Sequence, residues 1–383
     1  MEALLALEDG AVFSGRSFGI PGECCGEVVF NTSLTGYQEI LTDPSYRGQM
    51  VAMTAPQIGN TGINPEDMES ERPQVEAFLV RQVSPVASNW RTRQSLGRFL
   101  RAHNTMALSE IDTRALTRHV RNYGALKAVV STEDLSPESL VEKARASADI
   151  SARNWVAAVS CRAPYEWTEG MPAGWGPRPA PGILPPNGDP RPPTRRHIVV
   201  YDCGVKQSIL RYFVDHGCRL TVVPWNTTAA DALALDPDGI FLSNGPGDPQ
   251  RVPELAEAVR GLLGRRPILG ICLGHQVLGL AYGGRTYKLR FGHHGGNQPV
   301  LDLQRGGVQI TAQNHNFAVD AASLREDDIV VTHINLNDRT VEGMRHRRWP
   351  AWSVQYHPEG GPGPHDAVPL FDEFVSLVDE WRN

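Results

Sequence analysis

The sequence predicts an α/β protein in which an N-terminal mixed β/α domain precedes a C-terminal domain built on a doubly wound, mostly parallel sheet. The first observation is that apolar runs alternate with amphipathic helical segments from about residue 197 onward, as in parallel sheets. The second is a proline- and glycine-rich stretch near the middle of the chain, a composition that favours extended chain over a packed core. We therefore predict a first domain at residues 1–150, a linker at 151–196 and a second domain at 197–383.

Short strands and two helices are predicted in the N-terminal part. β-like runs separated by glycine occur at residues 3–7, 11–13 and 27–31. Apolar residues recur at helical spacing at residues 95–103 and 113–123. Asp112 directly precedes the second helix, where an aspartate side chain can accept hydrogen bonds from free backbone N–H groups.

The C-terminal part contains the stronger pattern. Buried strands are predicted at residues 197–201, 220–223, 239–242 and 267–271. Helices are predicted from about residue 206 to 216 and, packed on the sheet, at 368–381. Because ligands bind beyond the carboxyl ends of strands in such sheets, the loops at residues 202–204, 243–248 and 272–274 are the candidate functional loops.

Composition and charge narrow the class of protein. Hydrophobic residues make up 41% and charged residues 21% of the chain, as in soluble globular enzymes. The formal net charge of −6 argues against a nucleic-acid-binding surface. No apolar run is long enough to span a bilayer and the N-terminus does not resemble a secretory signal, so we expect a cytoplasmic protein without membrane association.

The cysteines do not form a metal-binding or disulfide pattern. The six cysteines include no CxxC pair, which argues against a zinc ribbon and against a disulfide framework. We predict no metal site in this chain. Adjacent His293 and His294 could be ligands or bases, but neighbouring side chains point in different directions unless the backbone is irregular.

Cys272 is the predicted nucleophile. It stands in a G-x-C-x-G pattern, GICLG at residues 270–274, between an apolar strand and an apolar helical run. This is the thiol counterpart of the nucleophile elbow, a sharp turn at which neighbours without Cβ relieve crowding. A helix N-terminus also favours a thiolate. A cysteine after a strand can instead be a small buried hydrophobic residue, but the two glycines favour catalysis.

A thiol nucleophile needs a base, and the best candidate is His357 in the segment QYHPE, residues 355–359. Glu359 is placed to orient the imidazole, as in catalytic triads. A zinc site built from Cys272, His357 and Glu359 is chemically possible, although nothing in the spacing favours it over a triad.

These motifs resemble those of the class I (triad) glutamine amidotransferases. GICLGHQ at residues 270–276, HPE at 357–359 and the loop SNGPGDP at 243–249 carry that resemblance. The N-terminal segments resemble a narrower family, the small subunits of carbamoyl phosphate synthetase. The segments are NTSLTGYQE (31–39), TDPSY (42–46) and PQIGNTG (56–62), and FGHHGGN (291–297) and QNHNFAV (313–319) are similar to the same family.

The resemblance implies roles for particular residues. Cys272 would form a glutamyl thioester, with His357 moving protons and Glu359 orienting it, and the N–H groups of Leu273 and Gly247 would stabilise the oxyanion. The residues implied in binding glutamine are Ser45, Gly245, Gly247, Leu273, Gln276, Asn314, Asn316 and Phe317. The sequence departs from the family at Asn316, where many relatives have glycine, and at Cys203, which replaces an aromatic residue and is interpreted as a packing change.

The resemblance also implies a partner. A large subunit would receive ammonia and use ATP and Mg²⁺, in a heterodimer or a higher assembly, so this chain itself needs no cofactor. The chain has no phosphate loop of the GxxxxGK[ST] type, which fits that division of labour. The alternatives are an amidotransferase for another synthase, a free-standing γ-glutamyl hydrolase, and a non-catalytic subunit that stabilises its partner.

Overall fold

The computed structural model describes residues 1–172 and 196–382, and these residues form two compact units. The first unit contains Met1–Trp155 together with Leu289–Gly295, and the second contains the described remainder of the chain. The Pro-rich stretch in the predicted linker lies almost entirely outside the described residues.

The first unit is a closed barrel with helices around it. Its strands are β1 (Glu2–Leu7), β2 (Val12–Ser17), β3 (Glu23–Asn31), β4 (Gln49–Met53), β5 (Gln57–Ile58), β6 (Ala77–Leu79), β7 (Gln82–Val83), β8 (Met106–Ser109) and β9 (Leu126–Ser131). Its helices are α1 (Tyr37–Thr42), α2 (Leu96–Ala102), α3 (Thr113–Tyr123) and α4 (Pro137–Ala146). The barrel has the strand order β1-β2-β8-β6-β4-β3-β9, closed by β9 on β1, and β5 pairs with β7 separately.

Local sequence signals account for much of this unit. Asp112 caps α3, since its carboxylate accepts the N–H of Ala115 at 3.0 Å, as predicted. On β4, Met50 belongs to one apolar cluster and Val51 to another. Both faces of β4 are therefore buried, which explains why its residues 50–53 are all apolar instead of alternating with polar ones.

The second unit is a layered α/β structure. Its strands are β10 (Tyr165–Trp167), β11 (Arg196–Asp202), β12 (Cys218–Pro224), β13 (Gly239–Leu242), β14 (Ile268–Ile271), β15 (Thr286–Asp302), β16 (Val308–Val319), β17 (Ile329–Asn335), β18 (Val341–His346) and β19 (Ala351–Val354). Its helices are α5 (Val156–Val159), α6 (Gln207–Asp215), α7 (Ala229–Ala234), α8 (Pro253–Leu262), α9 (Leu273–Ala281) and α10 (Pro369–Arg382). The middle of β15 is the part of that strand that belongs to the first unit.

The sheet of the second unit confirms the predicted fold class. Strands β12, β11, β13, β14 and β19 are parallel neighbours, and β18, β17 and β15 continue the sheet in antiparallel fashion. Neighbouring residues of β11 face opposite layers: Val200 packs in the cluster with α6 and α10, and Val199 in the cluster with α8 and α9. Helices therefore cover both faces, as in a doubly wound sheet.

The range predicted as linker is not linker throughout. Its described part contains α5 and β10, and β10 pairs with β12 at the edge of the sheet of the second unit. The alternation of apolar and polar residues in β10 is too short to stand out in the sequence. The register with β12, which is set by the tertiary structure, makes it a strand.

Within residues 1–172 and 196–382, no helix combines the length and the apolar character needed to cross a lipid bilayer.

Candidate active site

Cys272 lies on a strained turn between β14 and α9. Its backbone has φ 53° and ψ −103°, a conformation that is uncommon for residues other than glycine and that occurs in functional turns. The flanking glycines permit the close approach of chains there. A Cβ on Gly270 would lie 2.6 Å from the carbonyl oxygen of Gly274, and one on Gly274 would lie 2.2 Å from that of Leu242. Both glycines of the G-x-C-x-G pattern are therefore required, because a Cβ at either position would clash with a backbone carbonyl oxygen.

The thiol of Cys272 is buried and held near the sheet. Its backbone N–H donates to the carbonyl of Val354 at 2.9 Å, and its Sγ contacts the carbonyl oxygen of Asn314 at 3.5 Å. Cys272 also precedes the first residue of α9, so it stands at a helix N-terminus, where partial positive charge stabilises an anion.

His357 and Glu359 form a buried pair at the end of the neighbouring strand. In the parallel pairing of β14 with β19, Ile271 is opposite Val354, so the segments after both strands leave the sheet at the same edge. Nδ1 of His357 contacts Oε1 of Glu359 at 2.7 Å. This contact leaves Nε2 as the ring nitrogen available for proton transfer.

The charges of this pair are set by their surroundings. Burial lowers the pKa of His357, but the Glu359 carboxylate and the nearby Cys272 sulfur outweigh burial and raise that pKa to about 10. Burial raises the pKa of Glu359, but Lys206 and His357 outweigh it and lower that pKa to about 2. At neutral pH the pair is therefore an imidazolium and a carboxylate.

Lys206 is part of the site, and the sequence analysis missed it. Its Nζ contacts Oε1 of Glu359 at 2.7 Å and also donates to the carbonyl of Gly361, and the whole side chain is buried. Lys206 follows the predicted functional loop at residues 202–204. The Asp202 side chain stabilises that loop, because its Oδ1 accepts the N–H groups of Gly204 and Val205, both at 2.9 Å. The signal for this role in the sequence was a lysine close to a loop that follows a predicted strand.

Replacing Lys206 with methionine should destabilise the protein by about 3 kcal/mol at pH 7, because the Glu359 carboxylate loses a buried counter-charge. The folded protein keeps Glu359 ionised down to about pH 2, whereas the ordinary pKa is 4.5. The stabilisation is present above pH 4.5 and is lost as the pH falls toward 2. Removing Lys206 raises the pKa of Glu359, so the difference from the wild type should shrink over that range.

Urea unfolding at several pH values measures this effect. The matched control is Lys143→Met, which removes an ammonium that is paired with Glu23 and Asp134 but 40% exposed. Because water screens that pair, its loss should change stability little. A Lys206→Met protein as stable at pH 7 as Lys143→Met would contradict the role of Lys206.

Most of the residues that the resemblance implied in glutamine binding belong to the second unit. Nε2 of Gln276 donates to the carbonyl of Phe317 at 2.8 Å. Gly247 has φ 83°, and a Cβ on Gly245 would lie 2.2 Å from the carbonyl oxygen of Cys203. Both loop glycines are therefore required by backbone geometry. Asn314 and Asn316 are buried residues of β16, and Leu273 begins α9.

Backbone geometry and packing explain two of the positions singled out in the sequence, and the structure locates a third. Asn316 is not among the residues with positive φ, so its backbone conformation accommodates a side chain. Cys203 is fully buried in an apolar cluster, and burial raises the pKa of its thiol above the ordinary value, as expected for a packing residue. Ser45 lies in the first unit, buried in a short 3-10 helix (Pro44–Tyr46), and its role stays a prediction.

His293 and His294 lie in the part of β15 that belongs to the first unit. Both are buried, and the ring of His294 lies 5.9 Å from that of Tyr46. The carbonyl oxygen of His294 accepts the N–H of Thr32 at 3.2 Å. The contacts of His294 fit a histidine that packs and hydrogen-bonds within the first unit.

Comparison with known proteins gives consistent matches over both units. Residues 199–377 match the family described as glutamine amidotransferase class-I, and residues 5–130 match the carbamoyl-phosphate synthase small chain, CPSase domain. These matches agree with the two resemblances that the motifs indicated.

Similar proteins match along the full chain. The carbamoyl phosphate synthase small chain of Syntrophotalea carbinolica is 54% identical over 382 residues, covering 100% of this chain and 99% of the relative. That of Thermosynechococcus vestitus is 52% identical, covering 99% and 97%. The chloroplastic small chain of Oryza sativa subsp. japonica is 47% identical, covering 100% and 83%. The chain therefore belongs to the family of carbamoyl phosphate synthase small chains.

Proposed function

We propose that this chain hydrolyses glutamine at Cys272 and delivers the ammonia to a large, ATP-dependent chain that makes carbamoyl phosphate from bicarbonate. The chain is the glutamine amidotransferase component of carbamoyl phosphate synthase. The observation that carries the proposed chemistry is the strained Cys272 turn beside the buried His357–Glu359 pair.

The geometry supports a thioester mechanism. The Cys272 thiolate attacks the side-chain amide carbon of glutamine, with the His357 imidazolium as its counter-ion. The amide oxygen becomes an oxyanion, which the N–H groups of Leu273 and Gly247 stabilise. His357 then gives its proton to the leaving nitrogen, the C–N bond breaks, and ammonia and a glutamyl thioester result.

Water completes the cycle. His357, now neutral, takes a proton from a water molecule, whose oxygen attacks the thioester carbonyl and releases glutamate and the Cys272 thiolate. Glu359 keeps the imidazole oriented through both steps, and Lys206 keeps Glu359 ionised. The remaining substrate contacts are assigned to Ser45, Gly245, Gln276, Asn314, Asn316 and Phe317.

The partner in this proposal is the large chain of the synthase, in a heterodimer or a higher assembly. ATP and Mg²⁺ belong to that partner. The relatives are named as small chains, which implies a complementary large chain. Co-purification of a large ATP-dependent chain with this one supports the proposal, and co-purification with a different synthase contradicts it.

Active-site labelling tests the nucleophile. A chloroketone analogue of glutamine should alkylate Cys272, and excess glutamine should prevent the reaction. Mass spectrometry of the peptides locates the adduct. Cys25 is the internal control, because it is exposed whereas Cys272 is buried. Labelling of Cys25 without glutamine-protected labelling of Cys272 would contradict the proposal.

A further inference from the structure

Two buried glutamines lie close to the nucleophile, and the sequence analysis assigned only one of them to the site. Gln276 stands one helical turn after Cys272, and its backbone N–H donates to the Cys272 carbonyl at 3.2 Å. Gln355 stands two residues before His357 and is fully buried. The two side chains touch: Nε2 of Gln276 donates to Oε1 of Gln355 at 3.1 Å.

The amide nitrogen of Gln276 uses both of its hydrogens within the protein. One goes to the carbonyl oxygen of Phe317 at 2.8 Å and the other to Gln355. A side-chain amide has two N–H donors and one acceptor oxygen, so Oε1 is the group of Gln276 that is left for a ligand. If the side-chain amide of Gln276 were rotated by 180°, its Oε1 would face the Phe317 carbonyl oxygen, and two acceptors cannot form a hydrogen bond.

We infer that Gln355 is a positioning residue for substrate recognition. It holds the amide of Gln276 in the orientation that presents Oε1 to the α-ammonium group of glutamine. The inference rests on the proposed hydrolysis of glutamine at Cys272. An ammonium group has only donors to offer, so an acceptor oxygen in a fixed orientation is the group that recognises it.

The burial of Gln355 supports this role. Among the described residues its Nε2 has no hydrogen-bond partner, and a buried donor without a partner destabilises the fold. A well-packed apolar side chain would avoid that destabilisation. Packing alone therefore does not explain a glutamine at this position, whereas the acceptor that it provides for Gln276 does.

The backbone keeps Gln355 in place. Its N–H donates to the carbonyl of Glu342 at 2.9 Å, and the N–H of His357 donates to the carbonyl of Ala312 at 2.8 Å. The short segment after β19 thus carries both the catalytic base and the positioning residue. Recognition of the ammonium group and proton transfer depend on the same backbone support.

The test compares two substrates of the complex of this chain with its large partner. One is glutamine, and the other is 4-carbamoylbutanoate, which is glutamine without its α-amino group. Gln355→Met keeps the length of the side chain and removes the acceptor. The preference for glutamine, as a ratio of kcat/KM values, should fall about tenfold, the size of one hydrogen bond. The fall should come from a higher KM for glutamine, with kcat nearly unchanged.

Two further variants show whether Gln355 acts through Gln276. Gln276→Met should lose the same preference, and adding Gln355→Met to it should have no further effect, because the two residues form one unit. Gln309→Met is the matched control, since Gln309 is a half-buried glutamine of β16 outside this pair, and it should keep the preference. An unchanged preference in Gln355→Met, an equal loss for both substrates, or additive effects would overturn the inference.

Failure of the proposed function gives a different result, namely a wild-type complex that hydrolyses neither substrate. Synthesis from ammonia checks that each variant is folded and assembled. If Gln355→Met fails that check, Gln355→Glu takes its place, because it keeps an oxygen at the same length of side chain. Gln355→Glu should keep the preference for glutamine, and its loss would overturn the inference.

Discussion

Replacing Cys272 with serine should reduce glutamine-dependent carbamoyl phosphate synthesis by at least about a thousandfold, while synthesis from ammonia persists. A hydroxyl is a far weaker nucleophile than a thiolate in a site shaped for sulfur, and losses of this size or more follow removal of a triad nucleophile. Ammonia enters after the glutaminase step, so the partner chain can still use it.

Both activities should be measured on the same purified complex, with its assembly checked by size-exclusion chromatography. Cys25→Ser is the control, since Cys25 is an exposed thiol of the first unit, and it should leave both activities unchanged. Loss of both activities in a Cys272→Ser complex that still assembles would contradict the roles assigned here.

Replacing Gly274 with alanine should destabilise the protein by about 3 kcal/mol and reduce the yield of folded chain. The added Cβ would lie 2.2 Å from the carbonyl oxygen of Leu242 and 2.8 Å from its Cβ. The contacted oxygen belongs to the backbone of a central strand, which cannot move aside as a flexible side chain can. Overpacking of this kind forces α9 away from the sheet.

Gly307→Ala is the matched control for this prediction. No atom lies within 4 Å of a Cβ at that position, and its φ is not in the left-handed region. We expect it to change the free energy of unfolding by less than about 0.5 kcal/mol. Chemical unfolding of both variants measures the difference. A Gly274→Ala protein with wild-type stability would show that the glycine is not required by packing.

Local features of the chain were predictable because their physical causes lie within a few residues. Asp112 caps α3 since its carboxylate reaches an N–H only three residues on. The turn at Cys272 could be predicted because crowding between a strand and the following helix leaves glycines at fixed spacing. The parallel sheet followed from its apolar runs, and the rule about carboxyl ends of strands selected loops that follow β11, β13 and β14 in the structure.

Contacts between distant segments were not predictable from the same reasoning. Lys206 and Glu359 are 153 residues apart, and Gln276 and Gln355 are 79 apart. A single lysine or glutamine has no periodicity, so nothing in its neighbours marks it as buried. The closure of the barrel, with Leu4 opposite Ser131, likewise depends on pairing across most of the first unit.

The sequence by itself determined the α/β class, the Cys272 turn and the family, because helical and strand periodicity, glycine spacing and motif order are properties of neighbouring residues. Only the tertiary structure decided which charges and amides meet around that turn. The ionisation of His357 depends on burial, Glu359 and Cys272, and that of Glu359 depends on burial, Lys206 and His357. Burial and electrostatic pairing are properties of the folded sheet edge, where strands far apart in the chain end side by side.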